Sequence, residues 1–194
     1  MPDYMINIAM AVLATLLLTR WIIRKYIEKN ILYFIAAEMA LLIGIKFFSG
    51  SVMAVWSLLV LESYIDITEQ QIFCVPTWLL IGIEIIYMLL SGTFLNISMS
   101  TMFFPMLLIL IMSIKAYADG DRELYLAIML DAYNHGVRPD SFIVYHMLIS
   151  CIVFVLYVGI KNLIRMMRHK AVVGNGAFVP AMAAGYFILA LLKF

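Results

Sequence analysis

The chain has 194 residues, 65% of them hydrophobic and 13% charged, with a mean hydropathy of +1.04; soluble domains run nearer ~45–50% apolar and ~25% charged. This excludes an ordinary soluble domain and predicts an integral membrane protein, in which each helical span needs ~20 mostly apolar residues. Thirteen Lys and Arg against twelve Asp and Glu leave a net charge of +1, which excludes the basic footprint of a nucleic-acid binder.

Apolar runs between polar breaks predict helical segments at residues 5–23, 31–48, 52–67, 76–91, 101–116, 123–134, 142–160 and 177–192. The expected fold is therefore all-α, a polytopic transmembrane bundle of about eight helices. Residues 1–51 form an N-terminal transmembrane pair and residues 52–194 the core. The first run has no basic region before it and is followed by Arg20, Arg24 and Lys25, the wrong polarity for a cleaved signal peptide, so it is expected to be a retained span. The sixth segment is short and carries Asp131, so neighbours must shelter it or it must tilt into a water-accessible region.

Short loops keep Lys and Arg on the cytoplasmic side. This layout puts ten basic residues on one face, Arg165, Arg168 and Lys170 among them, against Lys46, Arg138 and Lys193 on the other. Both termini are then outside, and the connections at residues 66–75 and 117–122 both emerge in the cytoplasm. Membrane lipid is an expected partner, with Arg165, Arg168 and Lys170 as an anchor beside anionic headgroups. Cys74 and Cys151 lack metal-ligand spacing and read as small buried hydrophobes; His135, His146 and His169 fall in unrelated segments.

An acidic group in or near a bilayer costs at least a few kcal/mol when charged, so each needs a reason. Asp66 closes the third segment, ten residues before Pro76, and Asp121 follows Gly120 at the end of the fifth. Two carboxylates at the ends of different spans on one face are the minimal apparatus of aspartyl proteolysis. Held close together they share one proton, so that one member can deprotonate water while the other polarises the scissile carbonyl. Asp119 is the rival of Asp121, which the preceding glycine favours: Gly120, without a side chain, lets backbone or substrate come close to the carboxyl.

Tyr64-Ile65-Asp66 with Ile72 to Pro76, and later Ala118-Asp119-Gly120-Asp121, resemble the two signatures of the type IV prepilin peptidases, the Gly-x-Gly-Asp intramembrane aspartyl proteases. Ala118 stands where the family has its first glycine, and Glu123 where it commonly has lysine. Pro180-Ala181-Met182 is similar to the Pro-Ala-Leu segment of the related presenilins, which borders their active site.

The resemblance implies a cell-membrane endopeptidase, with catalytic Asp66 and Asp121, that cleaves the leader of type IV prepilin-like proteins at the cytoplasmic face. The family's substrates carry a short basic leader, a glycine before the scissile bond and a hydrophobic helix after it. Glu69 and Glu123 would meet the leader at the mouth, Pro180 would face the substrate, and Glu62, one turn deeper than Asp66, would tune it or pair with a cation. No cofactor is implied. The cytoplasmic insertion that larger members use for methylation, often with paired cysteines, is reduced here to residues 24–30, so neither methyltransferase activity nor a zinc site is expected. The competing reading is a small ion-coupled transporter or channel subunit with Glu38, Glu62, Glu84 and Asp131 as a proton path.

Overall fold

The computed structural model describes residues 31–48, 50–70, 72, 74–92, 99–115, 119–172 and 176–192, together with Ala9, Val12 and Leu16, which are helical and exposed. Seven α-helices run through the described residues, with no strand among them: α1 (Ile31–Phe47), α2 (Gly50–Glu69), α3 (Cys74–Leu90), α4 (Met99–Lys115), α5 (Asp119–Asn134), α6 (Pro139–Met167) and α7 (Val179–Leu191). The described residues are all-helical in their regular structure, as the apolar runs predict. The expected span at residues 5–23 lies outside the described residues apart from those three positions. So do Arg20, Arg24, Lys25, Ala118, the loop at 93–98 and Lys193.

Three boundaries differ from the sequence reading, each for a local reason. Helix α3 starts at Cys74 and takes Pro76 into its first turn, where a missing N–H costs nothing because that donor has no intrahelical acceptor. Helix α5 starts at Asp119, so Asp121 stands in its first turn and not at the tail of the preceding helix. Helix α6 continues to Met167, because Lys161 to Met167 extend the same helix with Lys161 and Arg165 half-buried on it.

Helices α2 and α6 are long and apolar enough to cross a membrane; α3 and α7 are apolar but shorter, with 17 and 13 residues. Helices α2 and α5 lie at the centre: α2 packs on α1, α3, α5 and α7, and α5 on α2, α3, α4 and α6. Their inner faces, Met53, Val55 and Leu59 on α2 and Tyr125, Ile128 and Met129 on α5, are almost completely enclosed. The short α5 is thus sheltered by neighbours. The outer helices are the reverse: Leu148, Ile152, Val155, Leu156 and Ile160 of α6 are all exposed, an apolar surface of the kind that faces lipid or a protein partner.

Candidate active site

Helix α2 ends at Glu69 because Gln70 takes a left-handed conformation, φ 54°, while its N–H bonds the Asp66 carbonyl at 3.0 Å. For a residue with a side chain that conformation costs roughly 1–2 kcal/mol, a strain of the kind that gathers near functional sites. Asp66 therefore lies in the last turn of α2. Its Oδ2 accepts a hydrogen bond from the Val179 N–H at 2.9 Å, with the Phe178 N–H beside it. Among the described residues its hydrogen-bond donors are these backbone groups.

The chain supplies this contact for a reason. The first N–H groups of a helix have no acceptor within the helix, and the helix dipole there favours a negative charge. In α7, Pro180 has no N–H, Ala181 and Met182 bond the Phe178 carbonyl at 2.9 and 3.2 Å, and the Val179 N–H is met by Asp66. A half-buried carboxylate thus caps the helix that carries Pro180, and Asp66 and Pro180 come together although they are far apart in sequence.

Asp121, 7% exposed, stands in the first turn of α5. Helices α2 and α5 are antiparallel neighbours: Ser51 at the start of α2 bonds Asp131 near the end of α5, at 2.8 Å. Asp66 and Asp121 accordingly lie toward the same end of the bundle. At this end the Cys74 thiol at the start of α3 is within hydrogen-bonding reach of Glu123 and within electrostatic range of Glu62. Glu62 is fully buried; Glu69 and Glu123 are half-buried. The side chain of the rival, Asp119, lies outside the described residues.

Two sequence expectations change here. Cys74 is exposed and Cys151 half-buried, because Cys74 opens a helix at the rim of the bundle and Cys151 sits on the outward side of α6. The room beside Gly120 is taken by the chain itself. A Cβ at that position would lie 2.6 Å from the Ile72 Cβ, so the glycine admits the α2–α3 connection against α5.

An apolar groove of about 410 Å³ begins at Ile67 and Pro180, the residues next in sequence to Asp66 and Val179; Asp66 itself does not line it. Ser63, Tyr64 and Ile67 of α2 and Pro180 of α7 line its near end, Trp56 and Phe187 its far end, and α1 forms the opposite wall. The spacing of apolar residues in the sequence gives no sign of it, since it arises from how three helices diverge.

The opposite end carries a second polar cluster. Asp131 accepts hydrogen bonds from Ser51 at its Oδ1 and from Tyr186 at its Oδ2, at 2.8 and 2.7 Å. The Nδ1 of His135 donates to the Asp131 carbonyl at 2.9 Å and lies 3.3 Å from Oδ1, and its Nε2 lies 3.5 Å from the Ser51 Oγ. The Asp131 carboxylate holds the His135 imidazole up to about 9, so both ring nitrogens carry protons at neutral pH. Ser, His and Asp meet here, but not as a nucleophilic triad: the Ser51 proton already points to Asp131, and a protonated His135 cannot accept it. Beside them the Asn134 amide donates to Glu84 at 2.6 Å. Among the described residues no group of three His, Cys, Asp or Glu side chains is arranged to hold a metal ion.

No family model, curated protein or solved structure matches this chain.

Proposed function

We propose that this protein is a multi-pass membrane aspartyl endopeptidase of the prepilin peptidase type, a bundle of about eight spans that removes the leader of type IV prepilin-like proteins at the cytoplasmic face of the cell membrane. The observation that carries the reading is the junction of Asp66, the start of α7 at Val179 and Pro180, and the apolar groove that opens beside them. In this reading the Asp66 carboxyl stands one residue from the slot, beside Ile67 and Pro180 that line it, and the slot takes a hydrophobic helix. Asp121, on the neighbouring central helix toward the same end, supplies the second carboxyl.

In this reading the two carboxyls share one proton. The ionised member takes a proton from the attacking water, the protonated member polarises the carbonyl of the scissile peptide, and the roles reverse as the amine leaves. The backbone N–H of Val179 fixes the direction of the Asp66 carboxyl. The substrate helix lies in the groove and its basic leader passes the carboxylates of Glu69 and Glu123. The basic end of α6 supports the orientation, since Arg165 and Arg168 extend past the Asp66 end while Lys46 and Arg138 flank the other.

The transporter reading is less well supported. Asp131 is held by Ser51, Tyr186 and His135, and Glu84 by Asn134, and in our reading these acids serve as structural ties between helices. The test of the proposal uses purified protein and a prepilin-like peptide with a basic leader, a glycine and an apolar helix. The wild type should cut after the glycine. Asp66→Asn and Asp121→Asn should each lose at least about a hundredfold in rate. Normal cleavage by either folded variant removes the aspartyl mechanism.

A further inference from the structure

The far end of the groove is closed by an aromatic corner. The Trp56 indole reaches from α2 across to α1, where its N–H donates to the Ala40 carbonyl at 2.9 Å. Gly44 makes the crossing possible, since a Cβ there would lie 2.2 Å from the indole ring. Phe187 of α7 and Phe48 then pack on the indole with ring centroids 5.3 and 5.5 Å away, and on each other at 5.5 Å. This is also where the two outer walls of the groove, α1 and α7, meet. Beyond the corner lies a separate cleft of about 300 Å³ bordered by Asp131 and His135, so the rings divide an apolar space from a polar one.

We propose that Trp56, backed by Phe48 and Phe187, is the specificity-determining stop of the groove, limiting the helix that this site grips to about ten residues. The proposal rests on the protease reading. Asp66 and Trp56 are ten residues apart on α2, about 15 Å along the axis at 1.5 Å per residue. A helix lying alongside covers the same distance with the same number of residues and presents one face at i, i+3, i+4 and i+7. Small side chains on both walls, Ala36 and Ala40 of α1 and Ala183 and Ala184 of α7, let such a helix come close.

The occupant is a single apolar helix preceded by basic residues, and charge complementarity argues for it. The end of α2 and the start of α5 present the half-buried Asp66, Glu69 and Glu123 against one basic residue, Arg122. A lipid chain fits the apolar part but brings nothing to pair with the carboxylates.

The experiment measures cleavage of a set of prepilin-like peptides in which one Asp is placed at successive positions of the apolar helix. In the wild type, Asp at groove-facing positions within the first ten residues should slow cleavage roughly a hundredfold, since a charge is poorly tolerated in apolar surroundings. Beyond the tenth residue it should have little effect. Trp56→Ala should move that boundary outward by about one turn, and Trp56→Phe, which keeps the ring, should leave it in place. A boundary that is absent, or unmoved in folded Trp56→Ala, overturns the proposal.

Photo-cross-linking to the Asp66→Asn protein gives a readout that needs no cleavage and remains informative if Trp56→Ala does not fold. Probes at helix positions 4, 7 and 8 should cross-link to α1 or α7, and a probe at position 14 should not. Cross-linking at every position, or at none, as for a groove filled by lipid chains, also overturns it. Failure of the protease reading would show separately, as undiminished cleavage by Asp66→Asn.

Discussion

The two ends of the bundle treat a carboxylate in opposite ways. Asp131 is 3% exposed and receives hydrogen bonds from Ser51 and Tyr186 with a protonated His135 against it, joining α2, α5 and α7. Asp66 is half-buried, held by the backbone at the start of α7, and stands one residue from a groove that Ile67 and Pro180 line. A buried carboxylate whose lone pairs are already filled is a tie, because any reaction there must first break several bonds. A half-buried carboxylate held by one or two backbone donors keeps its orientation and has fewer bonds to break before it exchanges a proton. The contrast lies in the surroundings, since both residues are aspartates near the ends of central helices.

The largest stability effect should follow from breaking the tie. Asp131→Ala leaves the buried donors of Ser51 and Tyr186 and the charge of His135 without their acceptor, and should cost about 3 kcal/mol. Chemical denaturation in detergent measures the loss. Cleavage per folded molecule should stay near the wild-type rate, whereas Asp66→Asn should show the reverse pattern.

Gly120→Ala comes next. Its new Cβ would press on Ile72, and overpacking of this kind costs about 1–3 kcal/mol. Ile72→Ala in the same chain should recover much of the loss, which a double-mutant cycle would report. At Asp66 the comparison is between two variants. Asp66→Asn keeps an oxygen for the Val179 N–H and should be close to wild type in stability, while Asp66→Ala uncaps α7 and should lose about 1 kcal/mol.

The smallest effect is a pH dependence. His135 binds its proton more tightly in the folded chain, to about 9, than its ordinary value of 6.5. The stability from its pairing with Asp131 is therefore complete below about pH 6.5 and is lost as the pH rises through about 9. Melting in detergent should show a modest fall across that window, absent in His135→Gln.

Much of the fold was legible because hydrophobic period and helix breakers are local signals. Seven predicted segments match described helices; Asp66 and Pro180 stand at the helix ends expected of them, whereas Asp121 opens α5 and does not close the helix before it. The polar first turn of α5 and the charged last turns of α6 read as loop because a run of polar side chains hides a helix from a hydropathy pattern even where, as at Asp121, the residue is buried. Contacts between distant segments could not be read. The Val179 N–H on Asp66, the Tyr186 hydroxyl on Asp131 and the groove between α1, α2 and α7 depend on helix packing, and no single segment carries a sign of them. Trp56 illustrates the limit: in the sequence it is one more apolar residue, and its place at the end of the groove follows from the absence of a side chain at Gly44.

The central claim is that Asp66 and Asp121 serve one site, and paired cysteines test it most directly. Thr68 and Arg122, each next to or within one turn of its aspartate, are replaced singly and together in an otherwise cysteine-free chain in intact cells. The account predicts that both single variants are labelled from the cytoplasmic side only, and that a short bifunctional reagent joins the double variant within one molecule, linking α2 to α5. Labelling of the two positions from opposite sides of the membrane would contradict it, because the two carboxyls could then share neither a proton nor a water.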